Sequence, residues 1–122
     1  MDNPRILFVD DNADIRFMIK EWLSQFNYEV ATAESMAEGL RLAKVEPFDL
    51  YILDARLPDG RGTELCIKIR EFDRATPIIF YSCETQEQLR SELKCAAQEY
   101  VLKPEFDDLE KAILRAMKMA RG

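Results

Sequence analysis

Four short apolar runs punctuate the chain: Ile6-Leu7-Phe8-Val9, Leu50-Tyr51-Ile52-Leu53, Ile78-Ile79-Phe80-Tyr81 and Tyr100-Val101-Leu102. A weaker fifth is Tyr28-Glu29-Val30-Ala31. Runs that are continuous rather than alternating predict strands buried on both faces, and four residues is too short for a helix. Between the runs the apolar spacing lengthens. Ile15, Met18, Ile19, Trp22, Leu23 and Phe26 recur at helical intervals and predict one apolar helix face. Ser35-x-x-Glu38 predicts a capping box opening a second helix that ends before Pro47. Leu65, Ile69 and Phe72 mark a third helix that stops before Pro77. Thr85-x-x-Gln88 opens a fourth that carries Leu89 and Leu93. Leu109, Ile113, Ala116, Met117 and Ala120 mark a fifth. Strands alternating with helices through short connections predict the α/β class, with a parallel sheet covered on both faces. Right-handed crossovers leave few topologies. No repeat, linker or low-complexity tract interrupts the pattern, so one domain over residues 1–122 is expected.

The informative polar residues follow the apolar runs. The first run ends in Asp10-Asp11, the Leu50–Leu53 run in Asp54, the Ile78–Tyr81 run in Ser82 and the last in Lys103-Pro104. In an open parallel sheet all strand C-termini lie along one edge, where ligands bind. Three carboxylates, a hydroxyl and an ammonium are therefore expected to converge from separate parts of the chain. A single Asp after a strand is often only the cap of the next helix, and for Asp11 alone capping suffices. Three together need more. Unit charges about 4 Å apart repel by roughly 4 kcal/mol at an effective dielectric of about 20, so the group calls for a cation. An all-oxygen set suits a hard ion, Mg²⁺ first. Lys103, held extended before a Pro, can pair with the carboxylates. Pro58-Asp59-Gly60 reads as a turn, and Gly60 and Gly62 let the backbone after Asp54 curl around the site.

Composition narrows the chemistry. The 122 residues hold 17 Lys+Arg against 23 Asp+Glu, a net charge of −6, which argues against a nucleic-acid or membrane surface. There is no His, so His general acid–base catalysis and His-ligated metals are excluded. Three dispersed cysteines, Cys66, Cys83 and Cys95, fit neither a disulfide scaffold nor a thiolate zinc site. With no signal-peptide pattern and no membrane-length apolar run, a reducing, cytoplasmic setting is expected. What remains is phosphoryl transfer: a carboxylate nucleophile yields an acyl phosphate while a metal, an ammonium and a hydroxyl neutralise the transferred oxygens.

On the ILFVDDN start, the DLYILDARLPDGRG segment, Ser82 and Tyr100-Val101-Leu102-Lys103-Pro104, the whole chain resembles the response-regulator receiver domains of two-component signalling. The resemblance implies a flavodoxin-like five-stranded parallel sheet of order 2-1-3-4-5 with five helices on both faces. It implies that Asp54 is the phosphoacceptor. Asp11 would be a direct Mg²⁺ ligand and Asp10 its water-mediated partner, with Asp54 and the Arg56 carbonyl completing the set. Lys103 would contact the phosphoryl group, and Ser82 and Tyr100 would be the residues that change position on phosphorylation. The phosphoryl group would come from a histidine kinase or histidine phosphotransfer protein. The signal would pass to a downstream protein or output domain. Such a chain is a switch that promotes only its own phosphorylation and dephosphorylation, not an enzyme on other substrates.

Departures from the family pattern fall at Ala96, where members often carry Gly, and at Glu105, which separates Lys103-Pro104 from Phe106. Cys83 beside Ser82 reads as a small buried hydrophobe before a redox sensor. Arg56 and Glu84, each two residues past a strand-end site residue, are expected to face each other across the mouth and to tune the lifetime of the acyl phosphate. The competing functions are a Mg²⁺-dependent aspartyl phosphatase, whose common D-x-D spacing Asp10-Asp11 lacks, and a phosphorylation-independent adaptor with the same fold.

Overall fold

A computed structural model of the chain describes residues 3–90 and 97–121, with side chains through residue 118. The elements run β1 (Arg5–Val9), α1 (Ala13–Ser24), β2 (Glu29–Ala33), α2 (Met36–Val45), β3 (Leu50–Leu53), β4 (Arg56–Leu57), β5 (Gly60–Arg61), α3 (Gly62–Arg70), β6 (Ile78–Ser82), α4 (Gln86–Leu89), β7 (Glu99–Leu102) and α5 (Phe106–Arg121). Five strands form one parallel sheet in the order β2-β1-β3-β6-β7. That is the order 2-1-3-4-5 once the two-residue strands β4 and β5, an antiparallel hairpin, are set aside.

The continuous apolar runs are explained by a core on each side of the sheet. Ile6, Phe8, Leu50, Ile52, Ile79, Tyr81 and Val101 face α1 and α5. Leu7, Val9, Tyr51, Leu53, Ile78 and Phe80 face α2 and α3. Alternate residues of one strand feed opposite cores, so every position must be apolar. Residues 6–9 are all completely buried, a contribution of about 6–12 kcal/mol at the usual value per side chain. That burial locks the register of β1, and with it the position of Asp10 at its end.

Helix signals hold in part. Thr85 and Gln88 form a complete capping box, the Gln88 N–H donating to the Thr85 hydroxyl at 3.1 Å and the Thr85 N–H to the Gln88 side chain at 2.7 Å. The Ser35–Glu38 box is half made: the Glu38 N–H donates to Ser35 Oγ at 3.2 Å, while Glu38 turns to Arg41. The first two N–H groups of α2 are capped from afar. Asp59 accepts from Met36 N–H at 2.7 Å and Ala37 N–H at 2.9 Å, and these bonds hold its carboxyl below the ordinary value. On the apolar face expected of α1, Ile19 and Leu23 are buried, whereas Met18 and Phe26 are half exposed. Phe26 lies past the helix end, where Asn27 adopts the left-handed backbone (φ 65°) that Asn tolerates. Phe72 likewise falls beyond α3 and is exposed. Leu93, Cys95 and Ala96 lie outside the described residues, as does the side chain of Ala120. The cysteine expectation needs two corrections. Cys66, buried on α3, is disulfide-bonded, and Cys83 is free but exposed, not a buried hydrophobe, because it sits beyond the end of β6 at an open edge.

Gly62 shows how tightly α3 closes on the sheet edge. Its N–H donates to the Ala55 carbonyl at 2.8 Å. A Cβ there would overlap the Asp54 carbonyl oxygen and stand 2.9 Å from the Asp54 carbonyl carbon. All these neighbours are backbone and cannot swing aside. Gly62→Ala is therefore expected to destabilise the fold by more than about 2 kcal/mol in urea denaturation, and a change within about 0.5 kcal/mol would show that the helix start can shift.

Candidate functional site

Register builds the site. Val9 pairs with Leu53, so Asp10 and Asp54, one residue further on, leave the sheet side by side. Leu53 pairs with Phe80 and Ser82 with Leu102, so Ser82 and Lys103 end the neighbouring strands on the same edge. The backbone continues the pairing one step: Asp54 N–H donates to the Val9 carbonyl at 2.9 Å and Lys103 N–H to the Ser82 carbonyl at 2.8 Å. The Lys103-Pro104 bond is cis.

Asp10 is fully buried and Asp54 nearly so, while Asp11 is exposed. The Lys103 ammonium donates to Asp10 Oδ2 at 2.5 Å and to Asp54 Oδ2 at 3.1 Å. Asp10 is further tied by the Asn12 N–H on Oδ1 at 2.9 Å, and Arg16 donates to its backbone carbonyl at 2.9 Å. Burial pushes the Asp54 carboxyl above its ordinary value; Lys103 opposes that rise and Asp10 adds to it. Burial works against the Lys103 ammonium too, but its hydrogen bond to Asp10 and the charge of Asp54 outweigh it, and its pKa is raised. One ammonium thus serves two buried carboxylates. With Asp11 added, three carboxylates each offer an oxygen within 4.8 Å of the others. An excess of close anionic oxygens fits a hard, oxygen-seeking cation.

The remaining candidates stand around this cluster. Ser82 is buried, and its Oγ accepts from the Glu84 N–H at 3.1 Å. Tyr100 is half buried with its ring stacked on Phe80 at 5.7 Å and 5°. Arg56 Nε donates to Glu84 Oε2 at 3.0 Å, while its backbone N–H lies 3.5 Å from Asp54 Oδ1, a long contact. The mouth is lined by Asp11, Asp54, Arg56, Ser82, Cys83 and Lys103, among others. Two participants, Arg61 and Asp59, are not among the site residues expected from the sequence. Arg61 also binds Glu84, through Nη2 at 2.9 Å and Nη1 at 3.1 Å. Asp59 pins the loop after Asp54 to α2. The turn signal at Pro58-Asp59-Gly60 was the available clue to Arg61, because a hairpin there sets Arg61 opposite Arg56. For Asp59 no local signal exists: its partners lie 22 and 23 residues away.

Comparison with known proteins gives the same picture. Residues 6–114 match the model of the response regulator receiver domain. The chain is 38% identical over 101 residues to the nisin biosynthesis regulatory protein NisR of Lactococcus lactis subsp. lactis, covering 82% of this chain and 44% of that protein. It is 35% identical over 121 residues to the transcriptional regulatory protein ResD of Bacillus subtilis, covering 98% and 49%. The chain thus spans about half the length of the curated relatives it matches. Among solved structures it resembles a CheY-like receiver domain protein of Methanospirillum hungatei (TM-score 0.91, 31% identity, 98% of this chain and 97% of that one). It also resembles the response regulator TrrA of Thermotoga maritima, in complex with Mg²⁺-BeF (TM-score 0.83, 34% identity, 93% and 98%). With the strand order, the acidic cluster and the family match in agreement, the chain belongs to the response-regulator receiver domains of two-component signalling.

Proposed function

We propose that this chain is a phosphorylation-dependent switch whose phosphoacceptor is Asp54. The observation that carries the reading is the Asp54 carboxylate at a strand end, within reach of Lys103 and beside Asp10 and Asp11. A carboxylate oxygen of Asp54 attacks the phosphorus of a phosphohistidine on a kinase or phosphotransfer protein. A phosphorus–oxygen bond forms, the phosphorus–nitrogen bond breaks, and the imidazole leaves. No base is needed when the nucleophile is a carboxylate, because it attacks in its ionised form, which the Lys103 charge favours. Lys103 meets the charge of the arriving phosphoryl oxygens. Asp10, Asp11, Asp54 and the Arg56 carbonyl would hold Mg²⁺, which when bound supplies neutralising charge on those oxygens. The likeness to TrrA, solved with Mg²⁺-BeF, supports that assignment.

Ser82 and Tyr100 are the residues proposed to move on phosphorylation and to signal to a downstream protein or output domain. The chain acts on itself alone. A cytoplasmic setting fits the family, and among the described residues no helix is long and apolar enough to cross a membrane. Arg56 and Glu84 lie across the mouth, where a paired side chain occupies the in-line approach of water to the acyl phosphate. Since the Arg56 side chain is 80% exposed, the pair contributes only about 0–1 kcal/mol to stability. Its proposed role is kinetic.

Incubation with a small phosphodonor is expected to add one phosphoryl mass in a Mg²⁺-dependent manner, lost in Asp54→Asn; equal labelling of that variant would overturn the assignment. Lys103→Met leaves Asp10 buried without its partner and is expected to cost about 3 kcal/mol at about pH 7. The Asp54 carboxyl, already held above its ordinary value by burial, then loses the charge that opposes the rise. The folded form takes up protons more readily than the unfolded chain, so the deficit should shrink as pH falls to about 5. Denaturant titration at the two pH values checks it, and a deficit that widens on acidification refutes it. Phosphorylated protein should decay faster in Arg56→Ala and in Glu84→Ala, with less than additive acceleration in the double variant. Identical decay in all four proteins would remove the lifetime role.

A further inference from the structure

Glu84 is held from two sides. The antiparallel register of β4 and β5 sets Arg56 opposite Arg61, and opposed residues of such a pair share a face. Two guanidiniums placed together repel, and Glu84 reaches both. The two contacts are unequal. Arg56 makes one bond from a side chain that is 80% exposed. Arg61 makes a two-bond fork, 2.9 and 3.1 Å, from a side chain 29% exposed onto a carboxylate 17% exposed. A planar fork onto a carboxylate adds geometric specificity that a single exposed contact lacks. Hydrogen bonding from Arg61 is also the main reason the Glu84 carboxyl lies below its ordinary value.

The same residue engages Ser82. Among the described residues the Ser82 hydroxyl accepts from the Glu84 N–H and does not bond Asp54. Glu84 therefore links the hydroxyl at the end of β6 to the hairpin that follows Asp54. The movement of Ser82 proposed above would carry the 82–84 segment with it, because the Glu84 N–H is bonded to the Ser82 hydroxyl. The fork resists that shift, because its other half is anchored at the start of α3.

We infer that the Arg61–Glu84 fork is a latch that holds the β6–α4 loop in its unphosphorylated arrangement, with Arg61 as the positioning residue. The inference rests on Asp54 being the phosphoacceptor. A partly exposed pair present in only one of two states biases their equilibrium by up to about fivefold.

The test is titration of the 122-residue chain with beryllofluoride in the presence of Mg²⁺, read from the backbone amide signal of Glu84 by NMR, in wild type, Arg61→Gln and Arg61→Lys. Arg61→Gln is expected to reach half-saturation at about fivefold less beryllofluoride, and Arg61→Lys, which keeps the charge but loses the fork, at an intermediate concentration. The Glu84 signal of ligand-free Arg61→Gln should already be displaced toward the bound wild-type position. An unchanged or higher half-saturation in Arg61→Gln overturns the latch, even if the melting temperature falls, since the fork would then be only a structural tie. If Arg61→Gln does not fold, Arg61→Lys decides alone: a lower half-saturation supports the latch and an equal or higher one overturns it. Wild type that shows no Mg²⁺-dependent saturation refutes the Asp54 reading instead, so the two failures are told apart.

Discussion

The site depends on one ammonium placed between two buried carboxylates. Asp10 is fully enclosed, and Lys103 lies on it and on Asp54 at hydrogen-bond distance. At such separations like charges repel by several kcal/mol even with generous screening, so the sheet edge tolerates this acidic cluster only because Lys103 arrives there. The partners are 93 and 49 residues apart in sequence. They meet because β1, β3, β6 and β7 are pinned side by side by the burial of their apolar residues. The hydrophobic core thus supplies the free energy that gathers the charges, and with Asp11 included the three carboxylates exceed the one ammonium by two negative charges.

That excess links structure to chemistry. In the proposed reaction a second cation and an incoming phosphoryl group would bring opposite charge to the same small volume. The protein's own part is to hold acceptors and donors in fixed positions beforehand, which is what electrostatic stabilisation requires. The loop after Asp54 is fixed just as firmly. Asp59 ties it to the start of α2, Gly62 lets α3 begin against the Asp54 backbone, and the small hairpin sets two arginines side by side. Glu84 answers those arginines from the next strand end. The rim of the site is therefore a charge network in its own right, partly exposed and weak in stability terms, yet attached directly to Ser82.

Much of this was legible along the chain. Continuous apolar runs with a polar residue at each end disclosed a two-faced parallel sheet, and with it the single edge at which Asp10, Asp11, Asp54, Ser82 and Lys103 stand. The reason is physical: burial on both faces forces every strand position to be apolar, so the first polar residue marks where the strand leaves the core. The Thr85–Gln88 box was legible because its two bonds are local. The Ser35–Glu38 box formed only half: the Glu38 side chain pairs with Arg41, and Asp59, from a distant loop, caps the Met36 and Ala37 N–H groups at the same helix start.

What the sequence alone determined, then, was the alternation of elements, the class of fold and the identity of the charged residues at the strand ends, all of which follow from local periodicity and from polarity at the limits of burial. What the tertiary structure decided was who partners whom. Arg61 and Arg56 share Glu84 because a hairpin folds them onto one face. Cys83 is exposed because it lies past the end of β6, and Cys66 is disulfide-bonded although its spacing gave no sign of it. Such pairings depend on distances between segments remote in sequence, and those distances are set only when the core closes and fixes the strand register.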